Sequence, residues 1–442
     1  MPRTSPPQGP PRPPRIPAVP GLPGARRRVA ARRPATASDP LAALDAGTVR
    51  AVNRLTVQWA PAATADGRGG DGGTAFSAVG LWPLLAFLAG GAGGPARDEL
   101  AAALGVDADG AIARGRALLE ALAAADGVSA ALGVWTAAKV PLHRDWTERL
   151  PSTVPGRLTG DLATDRAELD AWAAANTGGL IERMPLDLTE AEMVLATALA
   201  LETTWQQPFT TDWRRPRQGP WAGRELAGLF RSSSDLGDLR VAADTPAGRL
   251  TVLTVRGKNA LDVHLLLAEP GVPPAAVLAA GTATLAGDHP AEPGDRLPDG
   301  PAGPGVTVSR VHSWDQQDQL YAETVAFTVS ADHDLMTDPA LFGLGTASDT
   351  SAGHFPGVSD FPLAVGEARQ AITASFSAEG FRAAAVTATG LAAAGVPQQT
   401  AKMVSVCFDR PFGFLAVHRD TGLVLTAGWV TDPLSAPPGN GW

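Results

Sequence analysis

The side chains that usually carry catalysis are present in this chain but form no catalytic arrangement. The seven histidines are scattered, with no H-E-x-x-H motif and no i, i+4 pair, so they predict no zinc site. Neither a G-x-S-x-G nucleophile elbow nor a G-x-x-x-x-G-K-[ST] phosphate loop occurs. The single cysteine, Cys407, lies in the strand-like KMVSVCF and is expected to be a buried, unreactive thiol. The sequence predicts no catalytic residue, no metal site and no cofactor, so the protein is not expected to be an enzyme.

A glycine-rich stretch imitates a nucleotide-binding site. Residues 91–96, GAGGPA, follow LWPLLAFLA, whose pattern indicates a helix. A dinucleotide fingerprint must instead follow a strand. We therefore interpret this stretch as a turn that ends a helix.

The most informative stretch is residues 375–412, SFSAEGFRAAAVTATGLAAAGVPQQTAKMVSVCFDRPF. It begins with strand-like alternation, turns at Glu379-Gly380, and continues through alanine, valine and threonine to a stretch bounded by Gly390 and Gly395. Alanine and threonine are small enough to enter a packed sheet with little steric conflict. The residue types therefore suit a segment that can lie as an exposed loop or move between strands.

Length and composition describe a folded protein with a large core. The chain has 442 residues, of which 45% are hydrophobic and 18% charged, as in globular proteins. A net charge of -9 argues against nucleic acid as a partner. No run of about twenty apolar residues predicts a membrane span. One cysteine excludes an intrachain disulfide, so the fold must depend on packing.

The first 38 residues differ from the rest. They are rich in proline and arginine and contain no acidic residue before Asp39, a composition that does not fold alone. No long apolar run follows the paired arginines, so no export signal is predicted. We expect a cytoplasmic protein, with secretion open if the start codon is misassigned.

Three further stretches predict strands of the core. EMVLATALALETTWQQPF is mostly apolar, as in a strand buried on both faces. LTVLTVRGKNALDVHLLLAEPG predicts a hairpin that turns near Gly257. A second hairpin is predicted in FGFLAVHRDTGLVLTAGWVTDP, whereas GDHPAEPGDRLPDGPAGPG, residues 287–305, is interpreted as a loop.

The order of these motifs resembles that of the serpins, the serine protease inhibitor family, in a bacterial-type member. No single motif is diagnostic, but the resemblance runs from about residue 45 to Pro433. The residues that carry it, besides the alanine-rich segment before Asp409-Arg410-Pro411-Phe412, are Ser77, Leu81, Gly91, Ala92, Gly94, Trp172, Thr177, Gly179, Ile181, Leu344 and Gly345.

The resemblance implies an α+β fold of three β-sheets with surrounding helices and an exposed reactive-site loop. The expected organisation is a Pro/Arg-rich leader over residues 1–38, a serpin-like domain over 39–433 and a C-terminal tail over 434–442. The family's shutter and breach residues, around which the main sheet opens, correspond to Ser77, Thr197, Trp205 and Gln370. Where the family often has an Asn–His pair this chain has Thr197 and Gln370, two side chains able to share a hydrogen bond.

The same resemblance assigns the loop. Its hinge comprises Glu379, Gly380, Phe381, Arg382, Ala383, Ala384, Ala385 and Thr387. Counting from Gly380 as in typical members puts the scissile bond between Ala394 and Gly395, whereas counting back from Pro411 puts it near Thr400. Strand alternation predicts that Phe381, Ala383, Ala385, Thr387 and Thr389 face the core on insertion.

The implied function is inhibition of a serine protease. The protease cuts the loop and becomes covalently attached as an acyl-enzyme; the cut loop then inserts into the main sheet and traps it. Leu391-Ala392-Ala393-Ala394 favours an elastase-like or subtilisin-like target with a small apolar pocket. The alternative is a non-inhibitory serpin-fold binding or carrier protein, for which the bulky Phe381, Gly80 and the altered Thr197 and Gln370 argue. The protein is expected to be a monomer with no nucleic-acid or membrane partner.

Overall fold

The computed structural model describes residues 39–65, 72–189, 191–313, 317–381 and 399–436. The chain separates into two units, Met1–Ser38 and Asp39–Trp442, and every described residue lies in the second. Among these residues no helix combines the length and apolarity needed to cross a membrane. The assignment of residues 1–38 as a leader stays a prediction.

Seven α-helices are formed by the described residues, and their starts follow local capping chemistry. Asp45 caps the first helix by accepting a hydrogen bond from Thr48 N at 3.0 Å, and Ser77 caps the second. The helices are α1 Ala46–Ala63, α2 Ala78–Ala89, α3 Gly94–Leu104, α4 Ala108–Ala124, α5 Arg144–Thr147, α6 Leu162–Asn176 and α7 Pro274–Ala286. The helix expected before the glycine-rich turn at 91–96 is α2.

The described residues also form twenty strands. They are β1 Gly73–Phe76, β2 Val128–Ala137, β3 Pro155–Leu158, β4 Met193–Leu201, β5 Thr203–Thr204, β6 Thr210–Arg214, β7 Leu226–Ser233, β8 Leu239–Ala242, β9 Leu250–Arg256, β10 Leu261–Ala268, β11 Ala291–Pro293, β12 Gly300–Gly303, β13 Val306–Ser313, β14 Gln319–Val325, β15 Phe327–Asp334, β16 Glu367–Phe376, β17 Gly380–Phe381, β18 Gln399–Cys407, β19 Phe412–His418 and β20 Leu423–Val430.

The strands are arranged in three sheets, as predicted. A seven-stranded sheet has the order β1-β20-β19-β10-β9-β8-β11, and a six-stranded sheet the order β12-β13-β18-β14-β7-β6. The third, which we call the central sheet, has the order β3-β2-β4-β16-β17-β5, with β15 also paired to β16. Both predicted hairpins, β9–β10 and β19–β20, are confirmed.

Apolar residues lie on both faces of the central sheet. On its inner face, Leu195 and Leu199 of β4 belong to the main core. On its outer face, Val194, Ala196 and Ala198 belong to a second cluster covered by α6 and the residues after it. This explains why β4 is buried throughout and, apart from Thr197, apolar rather than alternating.

Two sequence-based boundaries are corrected. The predicted loop 287–305 contains β11 and β12, because each finds a partner strand, β8 and β13, in spite of its proline and glycine content. The folded body also extends beyond the expected boundary at Pro433. Ala227 N donates to Leu434 O at 2.9 Å and Ala436 N donates to Glu225 O at 3.0 Å.

Candidate functional site

The chain that follows β16 turns back into the central sheet for two residues. Gly380 and Phe381 of β17 pair with Thr204 and Thr203 of β5, and Phe381 also pairs with Phe376 of β16. A Cβ atom on Gly380 would lie 2.2 Å from the Thr203 carbonyl oxygen. Only glycine fits this close approach of two backbones. We call residues 377–381 the hinge turn.

Trp205 fastens the hinge turn to the end of β5. Its indole Nε1 donates to Ser377 O at 2.9 Å, and its backbone N donates to Glu379 O at 2.8 Å. The ring is fully buried, and its centroid lies 4.9 Å from that of Phe376. Trp205 is therefore both a core residue and a hydrogen-bond donor to the turn.

Beyond the hinge turn, β4 and β16 pair directly and in parallel. Residues 194–199 of β4 lie opposite residues 367–372 of β16, and we call these paired residues the seam. In the seam, Gln370 Nε2 donates to Thr197 Oγ1 at 3.0 Å. Both side chains are buried. The hydrogen bond that the sequence suggested between these two residues is present.

Gln370 also ties the seam to the first turn of α2. Its Nε2 donates to Ser77 O at 2.9 Å, and its Oε1 accepts from Ser77 N at 2.7 Å. The Ser77 hydroxyl in turn donates to Leu425 O at 2.6 Å and accepts from Gly80 N at 3.3 Å. The seam is thus closed by a buried polar network whose members lose partners if β4 and β16 separate.

The family model described as Serpin (serine protease inhibitor) matches residues 51–218 and 305–433. The chain belongs to the serpin family. The matched residues include β4, β16 and the hinge turn. The predicted α+β serpin fold is confirmed.

Individual relatives agree. A rice protein (Oryza sativa subsp. japonica) named serpin-Z6C is 26% identical over 420 residues, which are 86% of this chain and 95% of the rice protein. Native protease nexin-1 with heparin aligns with a TM-score of 0.66 at 17% identity, over 89% of this chain and 100% of that one. Human thyroxine-binding globulin complexed with thyroxine gives 0.67 at 16% identity, over 88% and 99%. The bacterial-type assignment stays a prediction, since the matched relative is a plant protein.

In this serpin Phe381 is already packed inside the sheet. It is 2% exposed, and its ring centroid lies 6.2 Å from that of Phe414 in β19. Because Phe381 and Phe414 both belong to the main hydrophobic core, Phe381 faces the core. The fold therefore accommodates the large ring at this position.

One residue of the seam region was missed from the sequence. His333 of β15 lies directly opposite Gln370 of β16, and its Nε2 lies 2.7 Å from Ala75 O. The His333 ring is buried and packs edge-on to Trp59 at 5.2 Å. A histidine thus lies beside the seam on the adjacent strand. No local motif marks it, because the strand pairing alone brings it to Gln370.

The other predicted loop residues lie outside the described residues. These are Arg382, Ala383, Ala384, Ala385 and Thr387 of the hinge, and Ala394 and Gly395 of the predicted bond. Thr400, near the alternative bond, is described: it belongs to β18 and lies opposite His312 of β13. Its backbone is part of a regular ladder.

Cys407 ends β18 and is partly rather than fully buried. Burial raises the pKa of its thiol to about 11, and Arg214 Nη2 lies 2.8 Å from its Sγ. Since the thiolate is the reactive form, this thiol is unreactive near neutral pH.

Within the described ranges, the single group with metal-ligand spacing is Asp39, His418 and Asp420, whose ligand atoms lie within 4.8 Å of one another. His418 Nε2 lies 2.9 Å from Asp39 Oδ2, and its Nδ1 lies 2.7 Å from Thr421 Oγ1. Both ring nitrogens therefore already have protein partners. The contacts join the first described residue to the turn between β19 and β20.

Proposed function

We propose that this serpin inhibits a serine protease by inserting the cut part of its reactive-site segment, which we define as residues 382–398, between β4 and β16. The observation that carries the proposal is that one strand register joins the hinge turn to the seam. Phe381 lies opposite Thr203 of β5 and Phe376 of β16. The residues that precede these two by six positions are Thr197 of β4 and Gln370 of β16, and they pair with each other in the seam. A strand continuing antiparallel from Phe381 would therefore place Thr387 between them.

The side chains of the segment suit that register. Directly opposite residues of a ladder share a face. Ala385 would lie opposite Leu199 and Ile372, two residues of the main core, where its small apolar side chain can be buried. Arg382, the one charged residue between Phe381 and Gly390, would lie opposite the exposed Glu202. The register places small apolar residues where the sheet is buried and the charge where it is open.

The same register gives the energetics of the step. Insertion moves β4 and β16 from about 4.8 Å to about 9.6 Å apart, because a strand must fit between them. The Thr197–Gln370 hydrogen bond then breaks, and the Thr387 hydroxyl takes its place beside Gln370. The new strand forms ladders on both edges, and each ladder hydrogen bond contributes roughly 1 kcal/mol net.

In the inhibitory reaction the nucleophile belongs to the protease. Its serine attacks the carbonyl carbon of Ala394, the bond to the Gly395 nitrogen breaks, and the nitrogen leaves with the proton delivered by the protease histidine. The acyl-enzyme remains attached to Ala394. Insertion of the segment then draws the protease along the sheet, and deacylation stops because it requires oxyanion donors placed to within about 1 Å.

The target is a protease with a small apolar pocket. This follows from Leu391-Ala392-Ala393-Ala394 before the proposed bond. We favour Ala394 over Thr400 as the site, because the Thr400 backbone is paired in β18 and a protease needs a free strand to bind. Monomeric, non-enzymatic action in the cytoplasm completes the proposal.

A second candidate function is that of a non-inhibitory carrier. It is supported by the match to human thyroxine-binding globulin complexed with thyroxine. The buried network of Gln370, Thr197 and Ser77 also resists opening of the seam. Under this alternative the segment after Phe381 would never enter the sheet.

Incubation with pancreatic elastase and with subtilisin separates the two candidates. The inhibitory proposal predicts a complex that survives SDS, with the acyl bond mapped to Ala394 by mass spectrometry. It also predicts that cutting the segment raises the melting temperature. Cleavage that yields no complex and no stabilisation with either enzyme, nor with a trypsin-like protease, would favour the carrier.

A further inference from the structure

At its far end the reactive-site segment runs into β18, a strand that is paired on both of its edges. Residues 399–406 of β18 pair antiparallel with residues 306–313 of β13. On its other edge β18 pairs in parallel with β14, from Gln319 opposite Met403 to Glu323 opposite Cys407. β18 is therefore an interior strand, and the β12–β13 hairpin is what covers its outer edge.

Side chains reinforce this arrangement. Lys402 is 5% exposed, and its Nζ donates to Asp295 O at 2.6 Å and to Leu297 O at 2.7 Å, just before the hairpin. Its backbone N donates to Asp318 Oδ1 at 2.7 Å. The hairpin is itself anchored, because Thr251 Oγ1 of β9 donates to the carbonyl of residue 304 at 2.8 Å.

The two ends of the segment are thus held very differently. At the near end two residues, Gly380 and Phe381, lie in the central sheet, and the register allows the next residues to follow. At the far end, eight register pairs with β13 and five with β14 must break before β18 can leave. Lys402 adds buried contacts to that end.

While the segment is uncut, the number of residues before β18 limits how far the segment can insert. A strand reaching the lower end of the seam, opposite Val194 and Glu367, uses residues 382–390 and descends about 30 Å. Residues 391–398 then span at most about 28 Å on the way back to β18. Full insertion without cleavage therefore leaves residues 391–398 no slack and pulls on the start of β18.

We propose that the β12–β13 hairpin is a brace that prevents β18 from peeling from its sheet and so keeps the uncut inhibitor active. The inference rests on the proposed function, since it concerns when the segment inserts. Cleavage separates residues 382–394 from β18. The brace therefore opposes insertion of the intact segment but not of the cut one. The hairpin thus regulates insertion into the central sheet although it belongs to the six-stranded sheet.

Two variants change how firmly β18 is held, in opposite directions. Lys402→Met keeps the length of the side chain but removes the hydrogen bonds to Asp295 and Leu297. The pair Ser309→Cys with Met403→Cys joins register partners of β13 and β18 and locks the brace when oxidised. Lys139→Met, which removes an exposed lysine at a distance from β18, is the control for loss of charge.

The assay incubates full-length, uncut protein at about 40 °C, within the range where a mesophilic domain begins to open, and follows inhibitory activity, melting temperature and intact mass. K402M should lose activity about tenfold faster than wild type, as expected from the loss of one to two hydrogen bonds, while its melting temperature rises and its mass stays intact. The oxidised disulfide variant should lose activity more slowly than its reduced form, and Lys139→Met should match wild type.

Equal rates for the oxidised and reduced disulfide forms would overturn the brace, whatever happens to K402M. Loss of activity in K402M through unfolding, without a rise in melting temperature, would also count against it. Failure of the proposed function looks different: freshly purified wild-type protein would then form no covalent complex. A failed brace leaves that complex formation unchanged.

Discussion

A disulfide across the seam should convert the inhibitor into a substrate. Ala198 of β4 and Ala371 of β16 are register partners on the outer face of the central sheet. Neighbouring strands lie about 4.8 Å apart, within the range of Cα separations that a disulfide accepts, about 4.4 to 6.8 Å. The double variant Ala198→Cys with Ala371→Cys should therefore oxidise without distorting the sheet.

The size of the effect follows from the register. Insertion requires the two strands to move to about 9.6 Å apart, well beyond what a disulfide allows. Val386 is the residue that would pass between positions 198 and 371, so at most residues 382–385 would enter. In the oxidised form the protease should cut the segment and be released, and the cut protein should gain none of its expected stabilisation, on the order of 10 °C.

A neighbouring disulfide supplies the matched control. Ala131→Cys with Ala198→Cys joins β2 to β4, a pair that stays together during insertion. The assay is the fraction of protease captured in an SDS-resistant complex, before and after dithiothreitol. Cys407 will not interfere, because burial raises the pKa of its thiol to about 11. If the oxidised seam variant traps protease as well as its reduced form does, the segment does not insert between β4 and β16.

Further predictions concern single residues. Thr387→Arg buries an unpaired charge beside Gln370 on insertion and should reduce complex formation at least tenfold, whereas Gln398→Arg, beyond the proposed bond, should leave it unchanged; gel densitometry decides. Gln370→Ala leaves Ser77 N and O without their side-chain partner and should lower the free energy of unfolding by about 2–3 kcal/mol in urea titrations. Burial lowers the pKa of His264 from 6.5 to about 4, so the unfolded chain binds more protons and stability should fall by about 3 kcal/mol as pH drops from 6.5 to 4. His264→Gln should flatten that slope, and an unchanged slope would contradict it.

Local sequence signals predicted β4 and the two hairpins, and the family resemblance predicted the residues of the seam. The apolar run of β4 was recognised from its own residues, whereas the resemblance to the serpin family named Thr197 and Gln370 as candidate partners; their hydrogen bond is present. The turn at Gly380 was also visible, because glycine is the residue that a close backbone approach requires.

The rest depends on pairings between distant parts of the chain. Nothing near His333 or Gln370 shows that they lie opposite each other in β15 and β16. The first strand of the β12–β13 hairpin is hidden in a stretch rich in glycine and proline, residues that indicate a loop until a partner strand, here β13, supplies the hydrogen bonds. Phe381 seemed too large for its position when judged by residue type, but its pocket against Phe414 is made by strands far along the chain.

A crystal structure of the protein cut after Ala394 tests the central claim most directly. We predict that β4 and β16 are then separated by a new antiparallel strand, with Thr387 between Thr197 and Gln370. A cut protein in which Gln370 still donates to Thr197 across a closed seam would contradict the insertion mechanism.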